Sequence, residues 1–144
     1  MASTIHKGYT AAAATILTTE LNSLATATNT AASTAVDNTT NLDLFMDLEL
    51  VIATMGVARS AGGYVAVYMA RSLDGTNYDD VNETTANLVA VFPLDAATTA
   101  RRLTVQDVPC TPGKWKLFAR NVTGQTLASS GNTLSARYHS ITTA

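Results

Sequence analysis

The stretch LDLFMDLELVIAT at Leu42–Thr54 decides the fold class of this chain. Its even positions from 42 to 52 are all apolar, whereas the odd positions carry Asp43, Asp47 and Glu49, interrupted by Phe45 and Val51. A period of two places the apolar side chains on one face of a β-strand, but it would spread them around a helix. We therefore predict that this stretch is the central strand of an antiparallel β domain, with one face in the core and the other in water.

Alternating or continuous apolar stretches recur at short spacing along the rest of the chain. The predicted strands are Tyr64–Ser72, Leu88–Leu94, Arg101–Val105, Lys114–Val122 and Thr133–Ile141. The first is apolar on both faces, which is typical of a buried strand, and Trp115 is expected to face the core. Val108–Gly113 is predicted to be a loop, since its two prolines cannot donate ladder hydrogen bonds. About seven or eight short strands without a strong helix between them predict an all-β, antiparallel β-sandwich.

The first 36 residues lack this alternation and are expected to form a separate segment ahead of a β-sandwich domain at 37–144. Residues 1–14 are predicted to be an arm that is mobile in isolation unless a partner or a neighbouring copy holds it. In the stretch 15–27, three leucines at helical spacing indicate a short helix, whereas the threonines favour an irregular edge strand. Both alternatives remain open from the sequence.

Charged residues are scarce. The chain has 144 residues, a net charge of −2 and 14% charged residues, below the roughly 25% typical of soluble domains. Alanine and threonine fill the difference, with 24 of each. A weakly charged surface can lie against another protein with little desolvation penalty, which favours an assembly component over a freely diffusing enzyme. The basic excess typical of nucleic-acid-binding proteins is also missing.

Charge is distributed unevenly along the chain. Residues 1–100 contain ten acids and three bases, whereas residues 101–144 contain one acid and six bases. Either acidic and basic strands are neighbours in one sandwich and pair across strands, or they form complementary patches that join neighbouring copies or partners.

The sequence offers little for catalysis. Its two histidines, His6 and His139, belong to no catalytic spacing, and we expect His139 to be solvent-exposed near the end of a strand. Asp79, Asp80 and Glu83 could bind calcium or serve glycoside hydrolysis, but adjacent acids on a loop are usually solvated. Asp74 and Asn77 do not follow the residue order of an EF-hand calcium loop. Cys110 is the single cysteine, so no intramolecular disulfide and no cysteine metal cluster is expected. We therefore predict no enzymatic activity, no catalytic residue, no cofactor and no metal.

Five segments, taken in order, resemble small structural proteins of tailed bacteriophages. They are LNSLA at Leu21–Ala25, LDLFMDLEL at Leu42–Leu50, RSLDGTNYDD at Arg71–Asp80, VPCTPGKWKLFARNVTG at Val108–Gly124 and SSGNTLSARYHS at Ser129–Ser140. In particular, the chain resembles the head decoration, or cement, proteins of short-tailed phages. That resemblance implies a jelly-roll-like β-sandwich that self-associates on the capsid exterior and reinforces the joints between major capsid proteins, without catalysing a reaction.

The partners expected from this resemblance are the major capsid protein and further copies of the chain, as a homodimer or a homotrimer. We expect synthesis in the cytoplasm of a bacterial host and a final location on the virion, at the capsid exterior, with no nucleic-acid partner. No membrane partner is expected, because no apolar stretch has the length that a signal peptide or a membrane span needs. The candidate contact residues are His6, Lys7 and Tyr9 in the arm and Arg101 and Arg102 on a basic edge.

An alternative function is a carbohydrate- or host-binding β-sandwich of a tail fibre or a head appendage. Aromatic side chains on the face of a sandwich can stack on sugar rings. The candidates are Tyr64, Tyr68, Tyr78 and Trp115. Glycan binding that is lost when Tyr64, Tyr68 or Trp115 is substituted would favour this alternative.

Overall fold

The computed structural model describes residues 5–143, which form two antiparallel β-sheets packed face to face. Sheet A has the order β1 (Ile5–Tyr9), β10 (Thr133–Thr143), β5 (Phe45–Ile52) and β8 (Arg101–Pro109), and β2 (Ala14–Leu17) also pairs with β10. Sheet B has the order β3 (Thr28–Asn29), β9 (Lys114–Val122), β6 (Tyr64–Ser72) and β7 (Asn87–Pro93), and β4 (Val36–Asp37) also pairs with β9. The predicted antiparallel β-sandwich is confirmed.

The connectivity is that of a jelly roll. β1 and β2 run in succession along β10 and act as one interrupted edge strand, and β3 and β4 do the same along β9. Counted in this way, residues 5–143 form two four-stranded sheets. Every connection crosses from one sheet to the other except the β6–β7 hairpin. This arrangement of eight strands matches the predicted jelly-roll type of sandwich.

β5 lies inside sheet A, between β10 and β8, as the alternation of its sequence predicts. Its inward-facing residues Met46, Leu48, Leu50 and Ile52 have no exposed surface. The strand begins at residue 45 rather than 42, because Leu42 has a left-handed backbone with φ of 53°, which an extended strand does not accommodate. Leu42 is consequently 53% exposed instead of buried.

The core lies between the two sheets. Trp115, Leu117 and Ala119 alternate along β9 and are fully buried. The Trp115 ring packs edge-to-face on Tyr138 of β10, with ring centroids 5.8 Å apart, which is a favourable geometry for two aromatic rings. Trp115 is therefore a core residue, as predicted, and it is not accessible to a sugar.

The N-terminal segment is part of the sandwich rather than a separate unit. Residues 5–9 pair with β10 at five positions, so the domain boundary expected at residue 36 separates β1 from a strand of the same sheet. Residues 1–4 of the predicted arm lie outside the described residues. Each alternative for 15–27 describes a part of it, because β2 is an edge strand and a single 3-10 turn follows at Thr19–Leu21. Leu17 and Leu21 are fully buried, so the leucine spacing marks core contacts.

Within residues 5–143, no helix is long and apolar enough to span a membrane.

β8 is longer than the sequence predicts and continues through Val108 and Pro109. The sequence predicted a strand that ends at Val105 and a loop at Val108–Gly113, and the loop prediction is wrong for Val108 and Pro109. Proline is tolerated here because β8 is an edge of sheet A, and the outer side of an edge strand needs no ladder hydrogen bonds.

Candidate functional site

The outer face of sheet B presents apolar side chains in a regular arrangement. Residues paired across an antiparallel sheet project to the same face, and the register sets three rows across β7, β6 and β9. The rows are Pro93, Tyr64 and Val122; Val91, Ala66 and Arg120; and Leu88, Tyr68 and Phe118. The eight residues of these rows other than Arg120 are called here the apolar face.

The apolar face is most accessible along β7. Leu88 is 55% exposed and Val91 is 42% exposed. On the side of β9, the Tyr68 ring stacks on Phe118, with centroids 5.2 Å apart and planes 12° apart, so Phe118 has no exposed surface. Burial raises the pKa of Tyr68. The small side chain of Ala66 separates the two tyrosines of β6.

Charges at the border of the apolar face are paired within the chain. Arg120 Nη1 lies 2.6 Å from Glu83 Oε1 and donates to Asn29 Oδ1 at 3.1 Å. Asn29 Nδ2 donates to the other Glu83 oxygen at 2.6 Å and is the main cause of the lowered pKa of Glu83. The Lys116 ammonium lies 4.3 Å from the centroid of the Tyr78 ring. A partner that covers this face therefore removes little unpaired charge from water.

The loop between β6 and β7, residues 73–86, is fixed by its own hydrogen bonds. Asp74 Oδ1 accepts the backbone amides of residues 76 and 77 at 2.8 and 2.7 Å, and Asp74 Oδ2 accepts Asn77 Nδ2 at 2.7 Å. These bonds hold the pKa of Asp74 well below its usual range. Asp79 in turn accepts the Arg71 amide at 3.0 Å. The carboxylates of Asp74, Asp79 and Glu83 thus have structural partners within the chain.

Two of the five predicted contact residues meet on the outer face of sheet A, in what we call the Lys7 cluster (Lys7, Tyr9, Asp47, Asp107 and His139). Lys7 Nζ lies 2.8 Å from Asp107 Oδ1 and 3.5 Å from Asp47 Oδ1. This contact with Asp107 is the main cause of the raised pKa of Lys7 and of the lowered pKa of Asp107. Tyr9 donates to Asp47 Oδ2 at 2.7 Å. Burial acts to raise the pKa of Asp47, but hydrogen bonds from the Asp107 amide and the Tyr9 hydroxyl outweigh burial and the pKa is lowered.

His139 lies within this cluster and is fully buried, so the prediction that it is solvent-exposed is wrong. Its ring centroid lies 5.3 Å from that of Tyr9 and 5.7 Å from that of Phe45, which stacks on it. Its Nε2 lies 3.0 Å from Asp107 Oδ1. The prediction failed because the strand that covers His139, β1, comes from the opposite end of the sequence.

Three residues of the cluster are also of the types that bind metals. Asp47, Asp107 and His139 each offer one ligand atom, and these atoms lie within 4.8 Å of one another. The Lys7 ammonium, however, lies close to both carboxylates and supplies a positive charge between them. The geometry is therefore explained by an ion-pair cluster that attaches β1 to the rest of sheet A.

The two arginines predicted on a basic edge lie at the other end of β8 and are paired with acids. Arg101 forms an ion pair with Asp95, which also contacts Arg59. Hydrogen bonds from these two guanidinium groups, Arg101 first, lower the pKa of Asp95 to about 2. Arg102 Nη1 lies 3.0 Å from Glu49 Oε1. These contacts account for both arginines within the chain.

His6, the remaining predicted contact residue, is exposed on β1. Together with Ile5, Phe45 and Ile141 it lines a groove of about 430 Å³ beside the Lys7 cluster. The structure thus brings Lys7 and Tyr9 together with His6 on the same strand, and it separates all three from the arginines. A partner contact by any of the five residues stays a prediction.

The uneven charge of the sequence is neutralised between strands and loops of one sandwich. Bases after residue 100 pair with acids before it: Arg101 with Asp95, Arg102 with Glu49 at 3.0 Å, Lys114 with Asp37 at 3.6 Å and Arg120 with Glu83 at 2.6 Å. This pattern supports the interpretation that acidic and basic segments are neighbours within the chain.

The sequence predicts that the strand Tyr64–Ser72 is buried on both faces, and it offers Tyr64 and Tyr68 as surface aromatics only in the carbohydrate-binding alternative. Their neighbours on β7 were not predicted. The stretch LVAVFP reads as a strand, yet Leu88 and Val91 have opposite parity and strict alternation would place them on opposite faces. A bulge in the β6–β7 pairing, at Val67–Tyr68, turns both side chains outward. The bulge depends on strand pairing, so alternation alone could not reveal it.

No protein-family model matches the sequence, and no curated protein is significantly similar to it. Solved structures with a distant likeness include a glycoside hydrolase family 43 arabinoxylan arabinofuranohydrolase from Bacillus subtilis in complex with cellotetraose, at 18% identity and a TM-score of 0.38, covering 85% of this chain. This chain spans only 20% of the hydrolase. A CBM4 structure is 11% identical with a TM-score of 0.29, covering 76% of this chain and 68% of its own. A structure of Desmodium yellow mottle tymovirus is 13% identical with a TM-score of 0.29, covering 98% and 87%. None of these likenesses is close enough to bear on function.

Proposed function

We propose that this chain is a structural virion protein that decorates the exterior of a bacteriophage head and reinforces contacts between major capsid proteins. The observation that carries the proposal is the apolar face of sheet B, where Leu88 and Val91 are exposed and the bordering charges are paired. Large exposed apolar patches on a folded domain mark interaction sites, and Leu88 and Val91 are the exposed large hydrophobic residues of this face. The sequence resemblance to phage head decoration proteins supplies the identity of the partner.

The apolar face is proposed to lie across the joint between neighbouring capsid subunits. Complete burial of a leucine or valine side chain is worth about 1.5 to 3 kcal/mol. About half of Leu88 and of Val91 is still exposed, so docking these two residues contributes about 2 kcal/mol per copy. Separation of the capsid subunits requires this surface to be exposed again, and repetition over the shell multiplies that resistance.

The proposed role is non-enzymatic and uses protein partners alone, namely the major capsid protein and further copies of the chain. The proposed location is the capsid exterior, after synthesis in the bacterial cytoplasm. The role needs no cofactor, metal, nucleic acid or membrane.

Binding to purified phage heads that lack the protein tests this role. The double variant Leu88→Asp/Val91→Asp places charges in the apolar face without removing a fully buried side chain. Leu73→Asp is the matched control, because Leu73 is fully exposed beyond the end of β6. We expect saturable binding by the unaltered protein and the control, and binding at least roughly thirtyfold weaker by the double variant. Equal binding by all three folded proteins would contradict the proposal.

Carbohydrate binding at the same face is a second candidate. The specific observation is that Tyr64 and Tyr68 project outward from β6 with a small residue between them, so that their rings are placed to stack on sugars. Glycan binding that Tyr64→Ala abolishes and Leu73→Asp leaves intact would support this candidate. Saturable binding to phage heads without binding to any glycan would contradict the carbohydrate candidate and support capsid decoration.

A further inference from the structure

We infer that the chain forms a two-fold symmetric dimer through the free edge of β1. This edge belongs to sheet A, whereas the proposed capsid contact lies on the outer face of sheet B. Dimer formation and capsid binding therefore use different surfaces, and each can fail without the other.

β1 pairs with β10 on one side and with no other strand of residues 5–143. The Thr10 amide donates to the Tyr138 carbonyl oxygen at 3.1 Å. Because hydrogen-bonded positions alternate along an antiparallel ladder, the register directs the backbone groups of His6 and Gly8 toward β10. The backbone groups that point away from the sheet belong to Ile5, Lys7 and Tyr9. A further strand can pair with these groups without disturbing sheet A.

The other sheet edges carry features that hinder strand addition. β8 contains Pro109, and Asp107 has a positive φ of 57° where the pairing with β5 shifts. β7 ends in Pro93, and β3 and β4 have two residues each. Prolines, bulges and very short edge strands are the usual means by which proteins prevent edge-to-edge pairing. β1 has none of them, and its one lysine, Lys7, is already paired with Asp107.

The occupant that fits this edge is β1 of a second copy. Antiparallel pairing of β1 with itself places the two-fold axis at Lys7 and sets Ile5 of each copy opposite Tyr9 of the other. Ile5 is 69% exposed and Tyr9 is 37% exposed, and an aliphatic residue opposite an aromatic ring is a favourable cross-strand pair. Because Asp107 neutralises each Lys7, the two ammonium groups at the axis repel each other little. The interface is isologous, as a closed dimer requires.

Amide hydrogen exchange of the unaltered protein, measured over a concentration series with sedimentation velocity, tests this inference. We expect the amides of His6 and Gly8 to be protected at every concentration, because they bond to β10. The amides expected to become protected only as a dimer forms are those of Ile5, Lys7 and Tyr9. A monomer at all soluble concentrations, a trimer, or a dimer in which these three amides still exchange freely would each overturn the inference.

A pair of variants isolates the edge itself. Ile5→Pro removes an outward-pointing amide hydrogen from each copy without removing a hydrogen bond to β10, and Ile5→Val is the matched control that keeps the amide. The loss of two hydrogen bonds of ordinary strength raises the dimer dissociation constant roughly thirtyfold, whereas the control is unchanged. Equal dissociation constants for the two variants would overturn the inference. A dimer with this behaviour that fails to bind heads would leave the inference standing and count against the proposed function.

Discussion

Removal of Arg59 is expected to destabilise the sandwich, because this arginine is a buried cation that links two loops. Its side chain has no exposed surface, and its Nη2 lies 3.0 Å from Asp95 Oδ1. Its Nε donates to the Asp95 carbonyl oxygen at 3.1 Å, and Nη2 donates to the Thr99 carbonyl oxygen at 3.1 Å. Arg59 lies between β5 and β6, and its partners lie between β7 and β8.

The magnitude follows from what each substitution leaves behind. Arg59→Ala leaves two carbonyl oxygens without these donors and opens a cavity, which together cost about 3 to 5 kcal/mol. Asp95 is half exposed and keeps its ion pair with Arg101, so its charge adds little to this cost. For a chain of this length such a loss lowers Tm by about 10 °C. Arg59→Met refills most of the volume but restores no donor, so it is expected to lose about half as much.

Urea denaturation and calorimetry of both variants measure these losses, with Val57→Ala as a control, because Val57 is exposed in the same loop. The control is expected to change the free energy of unfolding by less than about 0.5 kcal/mol. If Arg59→Met is as stable as the unaltered protein, the hydrogen bonds of the guanidinium do not stabilise these loops and the reasoning is refuted.

Three further predictions concern the clusters and the core. The pKa values of Asp47 and Asp107 are lowered from their ordinary value of 3.8, and that of Lys7 is raised from 10.5. The ion pairs of these residues therefore stabilise β1 fully at pH values between 3.8 and 10.5. This stabilisation is lost as the pH falls below about 4 or rises above about 10.5; protection factors of the β1 amides that stay constant across both limits would contradict this. Burial raises the pKa of Cys110 to about 11, so alkylation at neutral pH should be slow in the folded protein and fast in denaturant; equal rates would show that the thiol is accessible. Trp115→Ala should lower the free energy of unfolding by about 3 to 5 kcal/mol, measured by urea denaturation, and a loss below 1 kcal/mol would be inconsistent with a fully buried ring.

The strands that the sequence predicts well are those whose pattern is contained within the strand. In β5 and β9, alternate residues face the core, and Trp115 and Leu50 are buried where the period of two places them. β1 has no such pattern, because it lies at the edge of sheet A with most of its residues exposed. It becomes a strand through pairing with β10, which lies at the other end of the chain.

The candidate site was only partly predictable for the same reason. Tyr64 and Tyr68 were surface candidates only in the carbohydrate-binding alternative, because their strand is apolar on both faces in the sequence, and Leu88 and Val91 join them only through the β6–β7 bulge. His139 was expected to be exposed because its covering residues, Tyr9 and Phe45, lie far from it in the sequence. Contacts that depend on pairing between distant strands leave no local periodicity to detect.

The most direct test of the proposed function is cryo-electron microscopy of the parent virus particle. We predict density for this sandwich at regular symmetry positions on the capsid exterior, across the joints between capsomers, with Leu88 and Val91 of sheet B turned toward the shell. Density confined to the tail or to sparse spikes, or a sandwich whose sheet B faces solvent, would contradict the account.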